Sequence, residues 1–186
     1  MIDSLAGSLV VASPMMDDPN FEHAVILMIE HSDEGALGLV LNRAMETRVD
    51  EVWDQLSLQP CPVDQAMRCG GPCEGPLMML HGSPDHAQIE VCKGVCFTSE
   101  EPMVRNLLSS AEGPLGFYLG YAGWGPGQIE SELNRGGWLV TRARPEVVFD
   151  EDADDGLWMR VITGIDRSLA MLAMNPRIMP RDASMN

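Results

Sequence analysis

The stretch HAVILMIEHSDEGALGLVLNR, His23 to Arg43, decides the fold. Two short apolar runs, Ala24–Ile29 and Gly38–Leu41, flank a segment carrying Ser32, Asp33 and Gly35. Apolar runs of this length separated by turn-forming residues predict a wide β-hairpin. With the turn centred near Glu34, Glu30 lies opposite Gly38, while Asn42 and Arg43 lie near Ile26 and Val25 at the far end. The hairpin therefore carries two separate polar patches.

Working outward, Leu5–Ala12 reads as a β-like opening stopped by Ser13-Pro14, and Asp17-Asp18-Pro19 marks a turn. Val49, Val52, Trp53 and Leu56 repeat at helical spacing, with Thr47 placed as an N-cap three residues before Asp50. A loop around Cys61-Pro62 precedes a β region from Ala66 to Cys96, cut into short strands by Gly70-Gly71-Pro72, Gly75-Pro76 and Gly82-Ser83-Pro84. A second helix begins after Ser99, buries Met103, Val104, Leu107 and Leu108, and closes at Gly113-Pro114. Leu115–Ala122 is strand-like, Gly123–Gly127 is glycine-rich, Gln128–Arg135 is a short helix ending at Gly136-Gly137, and Trp138–Thr141 resumes as strand. Val147–Phe149 reads as a further strand and Asp150–Gly156 as an acidic exposed loop without EF-hand spacing. Leu157–Leu172 is helical in pattern, interrupted near Gly164, and the tail after about residue 175 is irregular. With no repeat or linker, residues 1–186 read as one domain.

Hydrophobic residues make up 45% and charged residues 22% of 186, which excludes a disordered or membrane-embedded chain. The formal charge of −16 repels anionic polymers. Lys93 is the one lysine and the arginines are scattered from Arg43 to Arg181, so direct nucleic-acid binding is not expected. The opening Met1-Ile2-Asp3-Ser4 lacks the cation of a secretory leader, and the longest aliphatic or thioether run, Ala24–Ile29, is too short to cross a bilayer. Cytoplasmic residence, with no membrane association, is the expectation. Five cysteines, Cys61, Cys69, Cys73, Cys92 and Cys96, then read as reduced thiols. Cys69/Cys73 and Cys92/Cys96 are spaced C-x₃-C, where structural zinc prefers C-x₂-C, so neither a metal nor another cofactor is expected.

Gly120, Gly123, Gly125 and Gly127 around Tyr121 and Trp124 permit close backbone approach to a ligand, followed by the donors of a helix N-terminus. The spacing is that of neither a dinucleotide nor a phosphate loop, and Glu130 and Glu132 oppose a bound anion. The competing structural reading is a sharp strand-to-helix turn with Trp124 capping the core. Gln128 and Glu132 share a helical face and could line a pocket. Asn42-Arg43 could hold a carboxylate or amide, or serve as a turn amide and a surface ion pair. Glu30-His31 offers an acid–base pair, but strand alternation separates the two side chains unless a bulge intervenes. His81 and His86 lack zinc-enzyme spacing, and no G-x-S-x-G serine is present. Met15-Met16 and Met78-Met79 read as adaptable core or interface residues.

Several ordered stretches together resemble the AlgH/YqgE family: GSLVVASPMMDDPNFEHAVILMIEHSDEGALGLVLNR (Gly7–Arg43), Gly70-Gly71-Pro72, Leu80-His81, and GYAGWGPGQIESELNRGGW (Gly120–Trp138). The resemblance runs through most of the chain. It departs at Ala44, where many relatives have proline, and at Cys73, where many have valine; the latter favours an apolar role for that thiol. The resemblance implies a compact α+β domain with a mixed, bent β-sheet forming a pseudo-barrel and helices packed around it. Members are often labelled transcriptional regulators. The reading that follows is a non-catalytic regulatory domain that binds a small ligand or a protein partner and affects transcription indirectly. Its candidate ligand-binding residues are Asn42, Arg43, Tyr121, Gly123, Trp124, Gly127, Gln128 and Glu132. The alternative is a small enzyme using His31 or His81 with Glu30 or Glu132 as acid and base.

Overall fold

The computed structural model of the chain describes residues 4–56, 63, 65–110 and 113–168. The expected loop at Cys61-Pro62, the helical pattern beyond 168 and the tail after 175 lie outside the described residues. In chain order the elements are β1 (Ser8–Ala12), β2 (Val25–Ser32), β3 (Gly35–Val40), β4 (Ala44–Arg48), α1 (Val49–Leu56), β5 (Ala66–Cys69), β6 (Cys73–His81), β7 (Ile89–Cys92), β8 (Val95–Thr98), α2 (Glu101–Ser110), β9 (Leu115–Trp124), α3 (Gln128–Asn134), β10 (Trp138–Arg142), α4 (Pro145–Val148) and α5 (Asp155–Ile165).

The β2–β3 hairpin forms where the sequence places it, but it is tight: Ser32 pairs with Gly35 across Asp33-Glu34. A bulge between Met28 and Glu30 sets Glu30 opposite Leu37 instead of Gly38. Two other readings are corrected. Val147 and Val148 belong to the short helix α4, with Phe149 as its C-cap, and the helix is started by Pro145 at its first turn, where a missing N–H costs nothing. Thr47 lies inside β4, a strand the sequence reading did not contain, so α1 follows that strand directly.

Strands run in the order β10-β1-β2-β3-β9-β6-β8-β7, with β5 joining β4 to β9. The β5–β9 pair is parallel, the other pairs are antiparallel, and the end strands β10 and β7 do not pair with each other. Leu9 and Leu27 from one end nevertheless share a core with Leu80 and Phe97 from the other, which requires the sheet to curl. Leu157, Trp158 and Ile162 of α5 plug this inner core. Two outer cores back the sheet. Ile129 of α3 covers Val10, Ile26, Val40 and Trp124, while α1 and α2 cover Met67, Met79 and Phe117. This is an α+β domain around a bent, unclosed sheet.

Strand β9 is the seam. Phe117 packs in one outer core and Tyr118 in the inner core, as alternation requires. Beyond Gly120 the parity changes: Tyr121 packs against the inner core, while Ala122 and Trp124 enter the other outer core. Gly120 makes the switch at φ +72°, where a Cβ would lie 2.7 Å from the Cys73 carbonyl oxygen and 2.8 Å from that of Gly71. The β6–β9 register shifts at the same place, between Cys73 and Leu77.

Gly120→Ala should therefore cost about 1–3 kcal/mol in urea unfolding. Gly164→Ala, where nothing lies within 4 Å of the added carbon, should be neutral or stabilising in the same assay.

Candidate functional site

The parity change delivers Trp124 to the outer face at the end of β9, and β10 begins with Trp138. Helix α3 spans the two. Glu132 projects between them: its Oε2 accepts the indole N–H of Trp124 at 3.1 Å and of Trp138 at 2.8 Å. Its Oε1 accepts the Gln128 amide at 2.9 Å, one helical turn away. Gln128 Oε1 accepts the Gly125 N–H at 3.0 Å and closes the glycine-rich turn. Phe21 stacks on Trp124 at 6.1 Å between centroids and meets Trp138 edge-on at 5.4 Å; the two indoles are T-shaped at 6.0 Å. Hydrogen bonds to a charged acceptor contribute about 1.5–3 kcal/mol each, and each aromatic pair adds about 0.5–1.5 kcal/mol beyond its buried area. The cluster is a fixed seat.

Against it lies a cavity of about 350 Å³ lined by Met15, Met16, Phe21, Gln128, Glu132 and Trp138, with Asp17, Asp18 and Arg135. Met15 is 65% exposed, an outlier among the large apolar side chains. Three carboxylates face one guanidinium here, so the cavity favours cations.

The structure brings together Trp124, Gln128 and Glu132 of the residues singled out by sequence. Trp124 is nearly buried and backs the wall made by Phe21 and Trp138 without lining the cavity itself. Gly127 is the left-handed residue that starts α3, at φ 69°. Tyr121 leans over Gly123 of its own strand, where its ring would lie 3.1 Å from a Cβ added to that glycine, and packs toward the inner core. Asn42 and Arg43 lie beyond the opposite end of β3, since Ala36 is the residue that pairs with Trp124. Asn42 accepts the Val25 N–H at 2.9 Å and donates to the His23 carbonyl at 2.8 Å and the Asp154 carbonyl at 3.4 Å. It is a buried corner brace. Arg43 donates to the Glu22 carbonyl.

Sequence reading missed Phe21 and Trp138 as site residues. A signal existed in the Met15-Met16-Asp17-Asp18 run, where methionines stand beside carboxylates in a Pro-bounded turn, but nothing local says that this turn meets α3.

The acid–base candidates separate. Glu30 is exposed, and His31 pairs instead with Glu130 of α3, Nε2 to Oε1 at 2.9 Å. Because the Leu5 N–H donates to His31 Nδ1 at 3.1 Å, the ring proton sits on Nε2 and both nitrogens are engaged. His81 is fully buried under the β6–β8 pairing, with Nδ1 accepting the Ser83 N–H at 3.3 Å. Burial, and then the charge of His86, pushes its pKa below the ordinary 6.5. Cys69, Cys73, Cys92 and Cys96 are free thiols, and among the described residues no three His, Cys, Asp or Glu side chains converge as a metal site. No described helix is long and apolar enough to cross a membrane.

Two outcomes follow. Glu132→Ala leaves two indole N–H groups without their acceptor and should cost about 2–4 kcal/mol, with a red-shifted tryptophan emission in the folded state. For His81 the unfolded chain takes up a proton near pH 6.5 while the folded chain does not, so stability falls as pH drops below that value. An imidazole NMR titration should show His81 still neutral at pH values where a free imidazole is half protonated; a normal His81 titration would contradict the burial.

Residues 9–170 match the AlgH-like family. A UPF0301 protein of Rhizobium meliloti is 36% identical over 96% of this chain and 92% of its own length. One from Streptomyces coelicolor is 35% identical over 94% of each. The solution structure of the AlgH protein from Pseudomonas aeruginosa superposes with a TM-score of 0.75 at 27% identity over 98% of both chains. A crystal structure from Corynebacterium diphtheriae, at 23% identity and a TM-score of 0.73, shares the fold over 92% of this chain and 93% of its own. With the family match spanning most of the chain and relatives 35–36% identical over nearly their whole length, this chain belongs to the AlgH-like family.

Proposed function

We propose that this chain is a non-catalytic cytoplasmic binding domain that acts through a protein partner, and that any effect on transcription is indirect. The observation that carries the reading is the Glu132 carboxylate held by two indoles and an amide. A general base must present a free oxygen to its substrate, whereas these bonds commit both carboxylate oxygens and fix their position. What they build is the preformed wall of a cavity. The cavity's apolar side comes from methionine and aromatic rings, which adapt to a partner's side chains and accept cations on their faces. Asp17, Asp18 and Glu132 outnumber Arg135 around it. The occupant with this chemistry is a basic peptide segment carrying apolar side chains between its cations. A net charge of −16 steers such a segment toward the chain and disfavours a direct role on nucleic acid.

The test is fluorescence anisotropy with a short labelled peptide of alternating arginine and leucine. Met15→Ala should weaken binding about fivefold and the pair Asp17→Asn, Asp18→Asn about tenfold. The pair Asp33→Asn, Glu34→Gln at the exposed hairpin tip removes the same charge away from the cavity and should change little. Equal losses in both acidic pairs, or no effect of Met15→Ala, would reduce the binding to general charge attraction and reject the site.

A further inference from the structure

Arg68 is the unusual cation of this molecule. It stands on β5 in register with Tyr118 of β9, in the short parallel pairing, and is only 9% exposed. One guanidinium nitrogen donates to the Tyr118 hydroxyl at 3.3 Å and another to the Asp150 backbone carbonyl at 2.7 Å. Both acceptors are neutral. Burial pushes the Tyr118 phenol up from its ordinary range, so that oxygen supplies no negative charge. The Asp150 carboxylate is turned elsewhere, to Arg160 at 2.6 Å.

A guanidinium offers more N–H donors than two neutral oxygens consume, and a buried cation without a counter-charge is costly to fold. The cost is understandable if an anion completes the site. Arg68 lines a cleft of about 690 Å³ whose walls include Ala66, Leu115 and Phe149. Arg48, 40% exposed and 3.8 Å from the Asp50 carboxylate, brings a second cation to the same cleft, and among the described residues Glu151 is the one carboxylate in its lining. The cleft thus gathers two arginines in a strongly acidic chain, and its size is that of small-molecule sites. It is built from β4, β5 and the approach to β9, apart from the aromatic cavity beside α3.

We propose that this cleft is an oxyanion-binding site, in which the planar fork of Arg68 takes the carboxylate or phosphoryl group of a small organic anion and Arg48 closes on it from the solvent side. The apolar walls receive the body of that molecule. Tyr118 and the Asp150 carbonyl hold the guanidinium in place, so the fork is aimed before the ligand arrives.

The experiment follows the arginine Nε–Hε NMR signals of the whole chain during separate titrations with inorganic phosphate and with benzoate, at constant ionic strength set by chloride. The expected result is a saturable shift of the Arg68 signal by at least one probe, with the affinity reduced at least fivefold in Arg48→Gln and lost in Arg68→Met. Arg48→Gln changes a half-exposed side chain, so it decides the question even where Arg68→Met does not fold. Saturation by phosphate alone assigns a phosphoryl ligand; saturation by benzoate alone assigns a carboxylate with an apolar body. No saturable shift with either probe, or shifts of equal size at Arg105 on the surface of α2, would overturn the proposal.

Discussion

The left-handed backbone at Gly120 is the constraint on which the rest depends. It changes the parity of β9 at the point where that strand stops pairing with β5 and begins pairing with β3, while Cys73 of β6 still pairs with Tyr121 across the other edge. Without the change, Trp124 would point toward the inner core already filled by Tyr118 and Leu39. With it, Trp124 reaches the outer face within hydrogen-bond distance of Glu132, and α3 is anchored by a charged acceptor as well as by Ile129. Fold and candidate site share one backbone feature.

The presence of the β2–β3 hairpin, though not its tight turn, the helical spacing of Val49 to Leu56 and the Gly-Trp-Gly turn were readable because each depends on residues adjacent in sequence. Glu30 opposite Leu37 was not, since the bulge at Met28–Glu30 answers to packing on both faces. The helical α4 was missed because Val147 and Val148 carry strand propensity while Pro145 sets the local backbone. For the site, Gln128 and Glu132 could be paired from helical spacing alone. Trp138 could not, because it meets Glu132 only after the Gly136-Gly137 turn folds the next strand back, and Phe21 could not, because its contacts with Trp124 and Trp138 join segments far apart in sequence. Arg68 left no trace at all: Ala-Met-Arg-Cys reads as an ordinary short strand until its arginine is seen to be buried.

The distribution of charge also looks different in three dimensions. A count of −16 suggests a uniformly acidic surface. The folded chain instead separates an acid-lined aromatic cavity beside α3 from an arginine-bearing cleft against β5. The imidazoles fall outside both linings, with His31 tying Leu5 to α3 and His81 fully buried where β6 pairs with β8 and β9.

The claim that the Trp124–Glu132–Trp138 cluster forms the wall of a binding cavity is tested most directly by the indole N–H signals of the three tryptophans that donate known hydrogen bonds. Trp158, whose indole donates to the buried Ala12 carbonyl at 2.7 Å, is the internal reference. During titration with the arginine–leucine peptide, the account predicts a saturable shift of the Trp138 signal, a smaller one at Trp124 and none at Trp158. A titration in which all three move together, or in which none moves while the peptide binds, would contradict it.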